Sequence, residues 1–289
     1  MINQMTPLQQ RLLVSGVGTL LVLIAIFLSP VPAFKPFFAA AIATVIGVAI
    51  REFYHIAQAK GLQPASRLGI ILSTLYTFSV ALSTQYECAR MLPQIMLLTA
   101  LLCCFFYYFA KGNSPFINLP VTLFSLAYLA VPLSCMISIA YFFPSGSTQD
   151  GRWWLFYLLA VTKMTDTGGF FIGKQFGKQK LAPYISPKKT WEGALGGLLL
   201  AICVSVALKS IACLFDGLAF TLTFWESLWL GALIGVGAQF GDLAESLLKR
   251  DGGVKDSSHL PGLGGMLDIV DSLVFTAPLV YIFLRIHAH

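Results

Sequence analysis

The sequence predicts an all-α polytopic integral membrane protein, and three observations carry that prediction. Hydrophobic residues make up 57% of the 289 and charged residues only 11%, with a mean hydropathy of +0.77. A soluble domain is nearer half apolar, even with glycine counted. Apolar runs recur along the whole length, so the chain is not a soluble domain with one anchor. The runs are long and lack the alternation of a barrel strand, which leaves helices as the spanning element.

About nine spans follow in order. The first, near 12–28, comes after Arg11 and resembles a signal peptide. Pro30 and Pro32 crowd the possible cut and more apolar runs follow, so an uncleaved span is expected. Runs near 34–50, 68–84, 93–109 and 119–143 complete an N-terminal group of helices, residues 1–150. Runs near 153–172, 192–213, 225–246 and 269–286 form a C-terminal catalytic region, residues 151–289, within one continuous membrane domain. Gly193/Gly197, Gly231/Gly235 and Gly237/Gly241 are small-xxx-small pairs that allow close helix contact. None of the six cysteines forms a CxxC pair and most lie in apolar runs, which reads as burial, not as a disulfide or zinc site.

Charge orients the layout. With the N-terminus inside, the inner segments hold Arg11, Arg51, Lys60, Arg67, Lys111, Lys174, Lys178, Lys180, Lys188, Lys189, Lys249, Arg250 and Lys255. The outer side holds Lys35, Arg90, Arg152, Lys209 and Arg285, and Lys163 sits within a span. Cations favour the cytoplasmic side, so the rule gives N-in, C-out. Segments 173–191 and 247–268 then face the cytoplasm, where nucleotides are. The net charge of +6 follows from this bias. It suits anionic lipid, and no nucleic-acid partner is expected, since the cations are not interleaved with aromatics.

Residues 237–272 hold the chemistry. Asp242, Glu245, Asp251, Asp256, Asp268 and Asp271 crowd there with Lys249, Arg250 and Lys255. A charge at a helix centre costs roughly 2.5–3.5 kcal/mol on insertion scales, so such a cluster is expected to be used. Asp242, Glu245 and Ser246 share a helix face at i, i+3 and i+4, and Lys249 continues it. Pro261, Gly262, Gly264 and Gly265 bend the chain so that backbone can approach a ligand. Asp268 and Asp271 open the next span on a common face. Carboxylates suit a hard cation such as magnesium, and lysine and arginine suit phosphate. The plainer alternative is a solvated loop with helix-capping acids.

A second constellation spans Asp166 to Gly197. Asp166 lies in an apolar run with Lys163 at i−3, either a functional intramembrane pair or a neutral tie between helices. Lys188 and Lys189 precede a helix expected to start near Thr190, with Glu192 in its first turn. A helix N-terminus beside two lysines is an anion site, although lysines obeying the inside rule give the same pattern. Gly168–Gln175 fits GxxxxGK but ends in Gln and follows a helix, so it is no P-loop. His55 and His259 read as loop or interfacial residues, and no Ser/His/Asp or Cys/His set is visible.

Together these segments resemble the phosphatidate cytidylyltransferase (CDP-diacylglycerol synthase) family. ISPKKTWEG (Ile185–Gly193) is similar to one family block. GDLAESLLKRDGGVKDSS (Gly241–Ser258) followed by PGLGGMLDIVDS (Pro261–Ser272) is similar to its signature, S-x-x-K-R-x(4)-K-D and then P-G-H-G-G-x-x-D-R-x-D. Asp166 and Gly173–Lys178 resemble a third block. Leu263 stands where the family usually has His, and Ile269 where it usually has Arg, which removes one phosphate contact and one hydrogen-bonding group.

The resemblance implies that CTP and phosphatidate give CDP-diacylglycerol and pyrophosphate on the cytoplasmic face of the cell (inner) membrane. It implies magnesium in a two-cation site, with Asp242 and Asp268 as first ligands and Asp271, Glu245 and Asp256 behind them. Lys188, Lys189, Lys249, Arg250 and Lys255 would hold the phosphates. Ser246, Glu192, Asp166, Gly264 and Gly265 would line the substrate site. It also implies a homodimer, which the small-residue faces permit. Two rivals stand beside it. One is a CTP-dependent lipid-alcohol kinase, and the other a transporter using Lys163 and Asp166 as a relay.

Overall fold

A computed structural model describes residues 7–144, 146–215, 218–254 and 265–287. The helices are Pro7–Leu28 (α1), Lys35–Ala59 (α2), Ser66–Ser83 (α3), Leu92–Lys111 (α4), Pro115–Ser125 (α5), Val131–Ala140 (α6), Gly151–Phe176 (α7), Trp191–Leu214 (α8), Phe224–Asp251 (α9) and Met266–His287 (α10). Among the described residues seven helical segments, not the nine expected, are long and apolar enough to cross a membrane. They are built on α2, α3, α4, the α5–α6 unit, α8, α9 and α10. The protein is therefore an all-α polytopic membrane protein, and each of the nine apolar runs coincides with a helical segment. The run at 34–50 is only part of its helix, since α2 continues to Ala59.

Local chemistry explains the interruptions. Between α5 and α6, residues Leu126–Ala130 form one π turn, in which the Val131 N–H reaches the Leu126 carbonyl. Pro132 has no N–H to return to Tyr128, so the helix takes in an extra residue just before it. Helix α9 starts on a capping box. Thr223 accepts from the Glu226 N–H, and the Glu226 carboxylate accepts from the Thr223 N–H at 2.8 Å. Segment 173–191 also contains a feature not read from the sequence, an antiparallel hairpin of Lys180–Ala182 (β1) and Ser186–Thr190 (β2). It pairs Lys180 with Thr190 and Ala182 with Ser186.

Helices α7, α8, α9 and α10 pack in succession, and α10 also lies against α6 and α2. The buried core runs through both halves, from Ile46 and Tyr54 to Leu230 and Val280. The small-residue pairs belong to these internal crossings. A Cβ on Gly197 would stand 2.8 Å from the Thr165 carbonyl oxygen. One on Gly241 would stand 2.3 Å from the Asp271 carbonyl oxygen. Both faces are thus consumed within the chain, and the homodimer loses the support expected from them.

Candidate active site

Antiparallel α9 and α10 bring the charged cluster together. Gly241 lets the backbones touch at Asp271 and Ser272. Moving four and eight residues along α9 from Gly241, and three back along α10 from Asp271, sets Glu245 and Lys249 beside Asp268. The acids therefore fall into two layers, about 5 Å apart along the helix axes.

The layer nearer the helix ends is Glu245, Lys249 and Asp268. The Lys249 ammonium lies 2.5 Å from Glu245 Oε1 and also pairs with Asp268 Oδ1. Glu245 is 2% exposed and Lys249 7%. Lys249 is thus the counter-ion of two carboxylates, and removing it would leave them facing each other unpaired, a loss of about 3–5 kcal/mol. The other Asp268 oxygen accepts from the Gly265 N–H at 2.8 Å. The next two N–H groups of α10 go to a residue that sequence reading passed over. Glu52 on α2 accepts from Met266 at 3.0 Å and from Leu267 at 2.8 Å. Two carboxylates thereby satisfy three of the orphan donors at this helix start and complement its dipole.

The deeper layer is Asp166, Asp242 and Asp271 with Lys163 and Lys189. Asp271 is buried and within electrostatic reach of Asp242, Asp166 and Lys163. Lys163 lies 3.5 Å from Asp166 and donates to the Ile269 carbonyl at 3.0 Å. Ser272 donates to Asp166 at 3.4 Å. The pair on α7 is thus part of the same cluster as the α9 and α10 acids.

The hairpin delivers the other motif. Lys189 on β2 pairs with Asp242 at 2.8 Å, and Arg250 Nε donates to the Ile185 carbonyl at 3.1 Å. Lys188, the preceding residue on the irregularly paired strand, is exposed. Thr190 caps α8 by accepting from the Gly193 N–H at 3.2 Å. The Glu192 carboxylate accepts from the Lys178 and Gln179 N–H groups at 3.0 and 3.2 Å, so it shapes the approach to the hairpin. Ser246, next to Glu245 on α9, is half-buried. Tyr128, in the π turn, is buried within electrostatic reach of Asp271 and Glu245, and its hydroxyl has no hydrogen-bond partner among the described residues. Lys255, Asp256 and Gly264 lie outside the described residues.

Asp242 and Asp268, expected to share an ion cluster, sit in separate ion pairs one helical turn apart. Among the described residues no three acids, histidines or cysteines stand at metal-ligand spacing. The donor chemistry nonetheless fits magnesium, which is usually held by one or two carboxylates plus substrate phosphates. Formal charge agrees. Two acids and one lysine leave the first layer at −1, three acids and two lysines leave the second at −1, and the sum is −2.

The model of the cytidylyltransferase family matches residues 9–287. A Chlamydia muridarum protein named phosphatidate cytidylyltransferase is 40% identical over 168 residues, 57% of this chain and 54% of that protein. The chain thus spans about half the length of this relative. A Synechocystis protein of the same name is 31% identical over 271 residues, covering 86% of this chain and 88% of its own. One from Staphylococcus haemolyticus is 38% identical over 176 residues, 61% and 62% of the two chains.

Proposed function

We propose, from the premise that this chain belongs to the cytidylyltransferase family, that it transfers a cytidylyl group from CTP to phosphatidate, giving CDP-diacylglycerol and pyrophosphate. The observation that carries the reading is the pairing of Lys189 with Asp242. It joins the PKKTWEG segment to the GDLAESLLKRD segment, so that phosphate-binding cations and acids serve one place.

The phosphatidate phosphate is already an anionic nucleophile. One of its oxygens attacks the α-phosphorus of CTP in line, the α–β phosphoanhydride bond breaks, and pyrophosphate leaves with the bonding electrons. No strong base is required. The obstacle is bringing one anion to a polyanion, which is overcome by charge neutralisation and alignment. Lys189, Lys163 and Arg250 stand at the cluster edge and supply positive charge to the phosphates. Lys249 keeps Glu245 and Asp268 in place. Magnesium, when bound with the triphosphate, supplies further neutralisation, and Asp242, Asp271 and Asp166, with Asp268 and Glu245, are the carboxylates to hold it. Lipid enters sideways from the membrane, and CTP from the cytoplasmic side, to which the cation bias assigns this end of the bundle.

The test is incubation of the purified protein with phosphatidate, magnesium and CTP labelled at the α-phosphate. Label should pass into lipid as pyrophosphate is released. Label released as free CDP would instead identify a kinase, and no labelled lipid would reject the reading.

A further inference from the structure

The opposite end of the bundle holds a polar cavity, of about 620 Å³, lined by the ends of α3, α4, α6 and α10. This size is usual for a small-molecule site. Asp268 and Arg285 bracket the separation. They lie on the same helix, about 25 Å apart along its axis, close to the thickness of a hydrocarbon core.

Cations gather at this cavity against the general trend. The N-in layout leaves only Lys35, Arg90, Arg152, Lys209 and Arg285 on this side. Arg90 and Arg285 both line the cavity, and neither forms an ion pair among the described residues. Lys35 lies over the ring of Tyr141, another wall residue, at 5.2 Å. Arg285 is steadied over the Tyr281 ring at 5.9 Å. By contrast Arg152 is neutralised by Asp150 at 2.5 Å. Among the described residues Glu87 contributes the one carboxylate of the wall, so the two arginines leave it at a formal charge of +1. Val80 and Phe142 add apolar surface beside the polar groups.

Two guanidinium groups favour a phosphate, since each presents a planar fork of donors. An adjoining apolar wall favours a phosphate that carries acyl chains. We propose that this cavity binds the phosphate headgroup of an anionic phospholipid in the leaflet opposite the candidate active site. The site is independent of the catalytic reading and does not share its residues.

The experiment is native mass spectrometry of the full chain released from mixed micelles, counting retained lipids. The wild type should keep phosphatidylglycerol over phosphatidylcholine. Arg90→Gln and Arg285→Gln should each weaken retention about tenfold, the usual loss for a charged hydrogen-bonding partner. Lys209→Gln, a cation of the same side outside the cavity, should leave it unchanged. Retention of phosphatidylglycerol by the double variant at the wild-type level would overturn the proposal. So would equal loss in Lys209→Gln, or equal retention of phosphatidylcholine. Soluble glycerol 3-phosphate displacing the lipid at equal concentration would assign the cavity to free phosphate and overturn the lipid assignment. If the double Gln variant loses helicity, the exposed single variant Arg285→Gln and the Arg→Lys pair carry the same comparison. They should bind less than the wild type, and wild-type retention in both would overturn the proposal.

Discussion

Replacing Glu52 by Gln tests how the candidate site is held together. Glu52 receives two backbone N–H groups at the start of α10, at 3.0 and 2.8 Å. The amide keeps one acceptor oxygen but turns an NH2 toward the second N–H, and it removes the negative charge. Losing a helix-capping acceptor costs about 1 kcal/mol, in a range of about 0.5–2. Losing an anion beside the first turn costs about 0.3–1 kcal/mol more. Docking of the α10 start should therefore weaken by about 1–2 kcal/mol, a factor of roughly 5–30 in local opening. Hydrogen exchange at Met266 and Leu267 should quicken by that factor. Turnover of CTP to CDP-diacylglycerol should fall about tenfold in kcat, because Asp268 lies in this first turn, Asp271 follows in the next, and a displacement of about 1 Å costs up to about 100-fold. Glu52→Asp keeps the charge on a shorter arm and should lie between the two. Unchanged exchange at Met266 and Leu267, with unchanged kcat, would refute the clamp.

Other outcomes follow from the same geometry. Gly241→Ala should force α9 from α10, since its Cβ would meet the Asp271 carbonyl oxygen at 2.3 Å. A loss of about 1–3 kcal/mol is expected, seen as a lower Tm in detergent. Lys189→Ala should raise the KM for CTP or lower kcat about tenfold, whereas Lys188→Ala, on the exposed side of the strand, should stay within about twofold. Equal effects would mean the strand does not separate the two lysines. Tyr128→Phe removes a buried hydroxyl that lacks a partner among the described residues, so Tm should hold or rise. Turnover should still fall about tenfold if that hydroxyl meets a substrate phosphate, as steady-state kinetics would show.

The helices were legible because lipid demands long apolar runs, and the acids of 237–272 were legible because charge is costly beside such runs. Local spacing also gave the α9 face from Asp242 to Lys249 and the helix start near Thr190. It did not give the division of the acids into two layers, because that depends on where α9 and α10 cross, and a pair of glycines fixes no register by itself. Glu52 carried no local signal beyond an acid following Arg51 near the end of an apolar run, and its partners lie more than 200 positions away. Tyr128 is one aromatic among many, and only Pro132 hinted that the helix around it departs from α geometry. The hairpin was hidden by its shortness and by Pro183 and Pro187, which break the usual strand pattern. Without it, Lys188 and Lys189 looked equivalent.

That hairpin makes the short connection of residues 183–185 intolerant of length change. Surface connections generally accept an inserted residue with little penalty. Here the register is already irregular, with two positions along β1 set against four along β2, so one extra or missing residue would shift Lys189 away from Asp242. Insertion scanning across the polar segments should therefore find a narrow forbidden zone at Pro183, Tyr184 and Ile185, where spacing outranks side-chain identity.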